Sequence, residues 1–198
     1  MDSNGNKEKC IQRARELAVE YQTTLVGCAH GSFAATVDAL REFGIELVTP
    51  EVEDIMFKGL VGLTGGLGNM NTGTCGAVTG SSFAVSLACN ITRELTEQQG
   101  KGMRWIAYYN VADGVANRFI EKYGSIVCRD IQLRIFGMAF DSRVPGRNKE
   151  LFGCASKHNC QTPGACTIAN GAGWAAERIW DMVHNPKDLT WVISEHEK

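Results

Sequence analysis

Apolar side chains recur every three or four residues along most of the chain, which is the spacing of an amphipathic helix. Cys10, Ala14 and Leu17, for example, fall on one face of a helix predicted over residues 6–22. The same spacing predicts six further helices, over residues 29–43, 51–61, 75–98, 102–123, 126–138 and 165–184. Alternation with a period of two is confined to Trp191–Ile193 and suggests one short strand there.

Two irregular stretches interrupt the helical pattern. Residues 59–80 hold eight of the 22 glycines, and residues 141–166 combine two prolines and three glycines with three cysteines. Long irregular segments inside a compact domain are usually functional or mobile. We therefore expect an all-α fold, a single compact domain over residues 1–198 with about seven helices, a glycine-rich loop and a cysteine-rich loop.

Length, charge and hydropathy narrow the class of protein. The 198 residues are enough for one domain with a substantial core. Twenty basic against 22 acidic residues give a net charge of −2, which argues against nucleic acid as a partner. The chain has no apolar run long enough to span a membrane, and its first twenty residues are too charged for a signal-peptide core. The sequence thus predicts a soluble, cytoplasmic protein.

The eight cysteines are the unusual feature of the composition. Disulfide scaffolds of similar cysteine density are short and secreted, and this chain shows no export signal. In a reducing compartment, cysteines usually bind metal, carry redox chemistry or fill core space. Cys10 and Cys89 lie within predicted helices, away from glycine, and are predicted to be core residues.

The other cysteines include four that share one local setting, a glycine-containing turn followed by the start of a helix. These are Cys28, Cys75, Cys128 and Cys166. A helix N-terminus favours a thiolate through its dipole and its unpaired amides. If the four helix starts meet at one end of the bundle, the thiols face a common point, as the ligands of a metal or cluster do. A buried structural cysteine is the better interpretation of each thiol alone, but not of the four together.

The glycine-rich run over residues 65–80 does not suit a nucleotide. It lacks the Lys-Ser or Lys-Thr pair of a phosphate loop and the preceding strand of a dinucleotide site. Its glycines, Gly66, Gly68 and Gly76 among them, would instead bring backbone N–H groups close to a cofactor. Close packing of helices at Gly76 and Gly80 is an equally good explanation of the pattern.

The cysteine-rich segment brings three thiols and a histidine within thirteen residues. Cys154, Cys160 and Cys166 are separated by five residues each, and His158 lies between the first two. This is neither the spacing of a bacterial ferredoxin nor the paired CxxC of a zinc ribbon. Zinc bound by these four side chains is an alternative to an iron–sulfur cluster, and a dithiol–disulfide pair is another.

Several motifs together resemble the C-GCAxxG-C-C family of redox-active proteins, which is related to the iron–sulfur domain of split-Soret cytochromes. They are Gly27-Cys28-Ala29, the run from Thr74-Cys75-Gly76-Ala77 to Gly80, the segment Tyr123 to Asp130 with Cys128, and Cys166 followed by Ala175-Ala176. The resemblance extends from about residue 10 to residue 182. It implies a helical domain whose redox role is carried by cysteines, with Cys28, Cys75, Cys128 and Cys166 at the four named positions.

The chain departs from the family pattern in two respects. Thr74 stands where the family name implies glycine. Cys154 and Cys160 are thiols beyond the motif, so either could replace Cys166 as the last ligand. No CxxCH motif is present, which excludes covalent haem of the c type.

These observations lead to one principal hypothesis and two alternatives. The principal one is an iron–sulfur redox protein that transfers electrons to or from a partner protein, or supports a reductive reaction, in anaerobic metabolism. A metal-free thiol–disulfide oxidoreductase or redox sensor, with Cys75 as the attacking thiolate, is the first alternative, and a structural zinc protein is the second. His30, two residues from Cys28, could tune that thiol, and the small residues along Ala77–Ala88 would suit a homodimer.

Overall fold

The computed structural model describes residues 3–196, which fold almost entirely into helices. Their bounds are α1 Ser3–Thr24, α2 Cys28–Glu42, α3 Pro50–Val61, α4 Gly76–Ala88, α5 Arg93–Gln99, α6 Arg104–Val111, α7 Asn117–Tyr123, α8 Cys128–Phe136, α9 Arg147–Lys157, α10 Thr167–His184 and α11 Thr190–His196. Within residues 3–196 there is no β-strand, and the one isolated bridge pairs Thr74 with Val127. The all-α prediction is confirmed. No helix in this part of the chain is long and apolar enough to cross a membrane.

Four helices, α1, α2, α4 and α10, pack against one another and form the core. Their contacting faces are rich in alanine, glycine and serine, so the backbones approach closely. Gly80 of α4 faces Ala29 and Ser32 of α2, and Gly171 of α10 lies against Ser81. Large side chains such as Phe33 fill the space between these close contacts. The core thus holds the N-terminal ends of α2, α4 and α10 in fixed relative positions.

The helix predicted over residues 102–123 is present with one irregularity. Helices α6 and α7 follow one another through a π-helical turn, Ala112–Ala116. Gly114 in this turn packs against the buried Arg178 of α10, and a Cβ at Gly114 would lie 2.7 Å from that side chain. Gly124 ends α7 in the left-handed conformation with φ of 80°, which glycine adopts readily at the end of a helix.

Three predicted boundaries or elements are wrong. The helix over residues 75–98 breaks after Ala88, because Asn90 takes φ of 53° and Thr92 caps a new helix, accepting a hydrogen bond from the amide of Leu95. The predicted irregular stretch 141–166 contains α9. The suggested strand at Trp191–Ile193 is part of α11. Asp188 precedes that helix and accepts hydrogen bonds from the amide and hydroxyl of Thr190.

Candidate functional site

Four cysteines occupy the N-terminal ends of four helices, as the sequence predicts. Cys28 and Cys128 are the first residues of α2 and α8, and Cys75 and Cys166 immediately precede α4 and α10. Their order along the chain does not determine whether these ends meet. The contacts described next show that they do.

The isolated bridge between Thr74 and Val127 brings Cys75 and Cys128 side by side. The amide of Cys75 donates to the carbonyl of Ile126 at 2.8 Å, and the amide of Cys128 donates to the carbonyl of Gly73 at 3.0 Å. These antiparallel hydrogen bonds fix the starts of α4 and α8 against each other. As a result, the two thiols lie near each other, and Cys128 is the largest influence on the pKa of Cys75.

The glycine-rich loop holds Cys28 and Cys128 from the other side. The amide of Gly65 donates a hydrogen bond to the sulfur of Cys28 at 3.3 Å. Gly66 has φ of +73°, and a Cβ at this position would lie 2.8 Å from the Cβ of Cys128 and 2.9 Å from the backbone of Asn71. Only glycine combines this conformation with so close an approach. The loop therefore packs directly against Cys28 and Cys128.

The remaining predicted glycines differ in their placement. A Cβ at Gly76 would lie 2.2 Å from the sulfur of Cys28, so Gly76 leaves the space that this sulfur occupies. Gly80, one helical turn further along α4, lies against the carbonyl of Ala29. Gly68 is exposed, and a Cβ there would meet nothing within 4 Å. The structure thus places Gly66 and Gly76 against cysteines, and Gly68 apart from them.

Cys166 and Cys160 extend the cysteine cluster. Cys166 is 1% exposed, and its thiol donates to Oε1 of Gln22 at 3.1 Å. The charge of Cys75 contributes to raising the pKa of Cys166, after burial as the main cause, so these two thiols are within electrostatic range. Cys160 is buried as well, and the charge of Cys166 contributes to raising its pKa, after burial as the main cause. Cys75 is thus the central member of the group.

The other cysteine-rich residues are not brought into this group. Cys154 lies in α9 and is half-buried, while His158 is exposed with its ring 5.5 Å from that of Phe136. Among residues 3–196, no group of three or more His, Cys, Asp or Glu side chains is arranged as ligands of a single metal ion. Cys10 belongs to the hydrophobic core, as predicted, whereas Cys89 is half-buried at the end of α4.

A cavity of about 190 Å³ opens beside the cysteines. Cys28, Cys75, Cys128 and Cys160 line it together with apolar side chains of α8 and α9. Gln132, one turn after Cys128 on α8, lines it as well and donates to the sulfur of Cys128 at 3.5 Å. Sequence analysis missed both α9 and Gln132. The four-residue separation from Cys128 is the signal that would have found Gln132.

Burial and mutual proximity raise the pKa values of the Cys28 and Cys75 thiols. The pKa of Cys28 is raised to about 12, chiefly by burial and then by the charge of Cys75. The hydrogen bond to Cys128, followed by burial, raises the pKa of Cys75 well above its usual range. Backbone amides of α4 do lower the pKa of Cys75, as expected at a helix start, but they are outweighed. The low pKa that a helix start would give Cys75 is therefore not found, because the neighbouring Cys128 and burial have the larger effect.

His30 supports the site without bonding to Cys28. Its Nε2 is 3.2 Å from the carbonyl of Leu25, and its Nδ1 is 3.5 Å from the hydroxyl of Thr64. The ring also packs on Phe57, with centroids 4.6 Å apart. His30 thus fastens the start of α2 to α3 and the glycine-rich loop, and its ring nitrogens are occupied away from the Cys28 sulfur.

Comparison with known proteins identifies the family. No curated protein and no solved structure matches the chain. One family model matches residues 26–177, a span that includes all four cysteines at helix starts. The family is described as "Putative redox-active protein (C_GCAxxG_C_C)". Because the match covers most of the chain, this protein belongs to the C_GCAxxG_C_C family of redox-active proteins.

Proposed function

We propose that Cys28, Cys75, Cys128 and Cys166 hold an iron–sulfur cluster and that the protein transfers electrons through it. The observation that carries the proposal is the meeting of these four helix starts at one cavity. Cys28, Cys75 and Cys128 line this cavity, and Cys166 is buried next to Thr167 and Ile168, which line it too. Thiolates are the usual ligands of iron–sulfur clusters, and a bound cluster supplies one-electron redox chemistry. The family description as redox-active agrees with this role.

The donor groups around the sulfurs suit such a cluster. Cys28 accepts a hydrogen bond from the amide of Gly65, Cys75 from amides at the start of α4, and Cys166 from those at the start of α10. Hydrogen bonds to the sulfurs and burial are two of the factors that set a cluster's reduction potential. The helix starts therefore position the thiols and stabilise their negative charge.

The raised pKa values are consistent with a cationic occupant. Buried neutral thiols must lose their protons to become ligands, and the positive charge of iron favours that loss.

One observation favours a second candidate, a thiol–disulfide function. Cys75 and Cys128 lie side by side at the bridge between Thr74 and Val127, so this pair is suited to form a disulfide. Thiol exchange needs a thiolate, however, and the raised pKa of Cys75 leaves little thiolate at neutral pH. We therefore rank this function second.

The deciding experiment is anaerobic purification of the full chain, followed by a visible spectrum and assays of iron, acid-labile sulfide and zinc on the same sample. We expect a coloured protein with iron and sulfide in matching amounts, bleached by oxygen. A colourless protein without iron, in which Cys75 and Cys128 form a reversible disulfide, would replace the cluster with thiol exchange. Zinc in place of iron would indicate a structural metal.

Replacement of two of the three candidate last ligands, Cys154, Cys160 and Cys166, tests the cysteine set. We expect Cys166→Ala to lose most of the iron and sulfide, because Cys166 lies within electrostatic range of Cys75. Cys154→Ala should retain both, because Cys154 is half-buried within α9 and does not begin a helix. Iron and sulfide content of the two purified variants is the measurement. Loss in Cys154→Ala with retention in Cys166→Ala would assign the last ligand to Cys154, and retention in both variants would assign it to Cys160.

The proposal also includes a compartment and a partner. All eight cysteines are free, which suits a reducing cytoplasm. An electron-transfer protein needs a redox partner protein that docks close to its cluster, and the same holds if the chain supports a reductive reaction in anaerobic metabolism. Mixing the reduced protein with candidate partners and following the cluster spectrum would identify that partner.

A further inference from the structure

The cavity beside the cysteines extends well beyond them. Cys128 begins α8, and Ile135 and Phe136, near the other end of this helix, line the same cavity. With a rise of 1.5 Å per residue, the eight steps from Cys128 to Phe136 span about 12 Å. Leu151 and Phe152 of α9 complete the apolar lining. We call the part formed by Ile135, Phe136, Leu151 and Phe152 the distal chamber.

The lining of this cavity is free of charged side chains. Among the described residues that line it, none is Asp, Glu, Lys, Arg or His. Its polar groups away from the cysteines are neutral, and they include Ser142 and Asn148 beside the apolar side chains of α9. Transfer of a charged group from water into such surroundings is costly, because no opposite charge compensates for its lost hydration.

The size of the cavity limits what the distal chamber can hold. An apolar cavity of about 150 Å³ in another protein accommodates benzene. The volume here is about 190 Å³. Because a cluster would take up the end next to the cysteines, the remaining space suits roughly one six-membered ring with a small substituent, or an aliphatic body of similar size.

We propose that the distal chamber binds an uncharged small molecule, with an aliphatic or aromatic body and a neutral polar substituent, beside the cysteine site. The inference rests on the proposed function in that the ligand would lie next to the cluster. The apolar side chains of α8 and α9 contact its body. Asn148 and Ser142 offer hydrogen bonds to its polar substituent.

Three probes of nearly identical shape test the charge selectivity. Benzamide is neutral, benzoate is its anionic counterpart and benzamidinium its cationic counterpart. Each is titrated calorimetrically into the full chain as purified anaerobically. We expect benzamide to bind at least about tenfold more tightly than either ion, because only the ions must leave their hydration uncompensated. Equal or tighter binding of an ion, or no binding of benzamide, would overturn the proposal.

A pair of tryptophan variants tests the location. Leu151→Trp fills the distal chamber and should abolish benzamide binding, whereas Leu133→Trp, at a position of α8 that is 42% exposed, should leave it unchanged. Asn148→Trp, at an exposed position of α9, is a second block in case Leu151→Trp does not fold. Benzamide binding that survives in the folded α9 variants would show that the ligand binds elsewhere, and the proposal would fail.

The same samples separate this inference from the cluster assignment. Iron and sulfide are assayed in each preparation before titration. Selective benzamide binding in a protein without iron would support the distal chamber and reject the cluster. A full cluster without benzamide binding would support the cluster and reject the distal chamber as a binding site.

Discussion

Replacing Cys75 with alanine is expected to remove most of the bound iron and sulfide while leaving the helical fold in place. Cys75 adjoins Cys128 at the bridge between Thr74 and Val127, and its charge contributes to raising the pKa values of Cys28 and Cys166. Losing it removes a ligand from the middle of the site. Replacing the buried thiol with the methyl group of alanine should lower the unfolding free energy by only about 1–2 kcal/mol.

Cys89→Ala is the matched control for this variant. Cys89 is half-buried, and it follows the last residue of the same helix, α4, where its thiol donates to the carbonyl of Val85. We expect Cys89→Ala to keep full colour, iron and sulfide. Both variants should give the far-UV circular dichroism of the unmodified protein. Full cluster content in Cys75→Ala, or equal losses in both variants, would refute the assigned cysteine set.

The position of each cysteine on its helix could be predicted from the sequence, because local chemistry determines it. A glycine-containing turn before Cys28 and Cys128 predicts a helix start, and the structure confirms both starts. The convergence of these starts could not be derived in this way. It depends on the bridge between Thr74 and Val127, which joins segments more than fifty residues apart without forming a strand long enough to show alternation.

The boundaries that were missed have similar causes. Apolar spacing continues through residues 75–98, but the left-handed conformation of Asn90 and the Thr92 cap divide the helix. Periodicity does not detect such a break, since both halves keep the same spacing. The glycines and prolines that flank α9 concealed it, although Leu151, Phe152 and Ala155 have helical spacing. Missing α9 also meant missing the distal chamber, which it partly encloses.

The two glycines of the Cys-Gly-Ala-x-x-Gly motif, Gly76 and Gly80, serve two different purposes, one at the cysteine site and one in helix packing. Gly76 gives room to the sulfur of Cys28, so its small size matters for the cysteine site. Gly80 gives room to the backbone of α2, so its small size matters for the contact between two core helices. One glycine therefore shapes the site directly, and the other holds α2 and α4 at the distance that brings Cys28 near Cys75.

Gly80→Ala should accordingly destabilise the whole protein. A Cβ at this position would lie 1.9 Å from the carbonyl oxygen of Ala29 and 2.3 Å from the hydroxyl of Ser32. The first of these atoms belongs to the backbone, so α2 and α4 must move apart, at a cost of about 3 kcal/mol of unfolding free energy. Urea unfolding followed by circular dichroism measures this cost.

Gly59→Ala provides the control, because Gly59 is also helical but has open space around it. A Cβ at Gly59 would meet nothing within 4 Å, so the substitution should raise the unfolding free energy by about 0.5–1 kcal/mol through helix propensity alone. The two Gly→Ala changes are therefore expected to differ in sign. An unchanged urea midpoint for Gly80→Ala would show that α2 and α4 tolerate a wider separation, and the packing role of this glycine would have to be abandoned. Loss of folding in Gly80→Ala, with Gly59→Ala still stable, would agree with the close contact at Ala29.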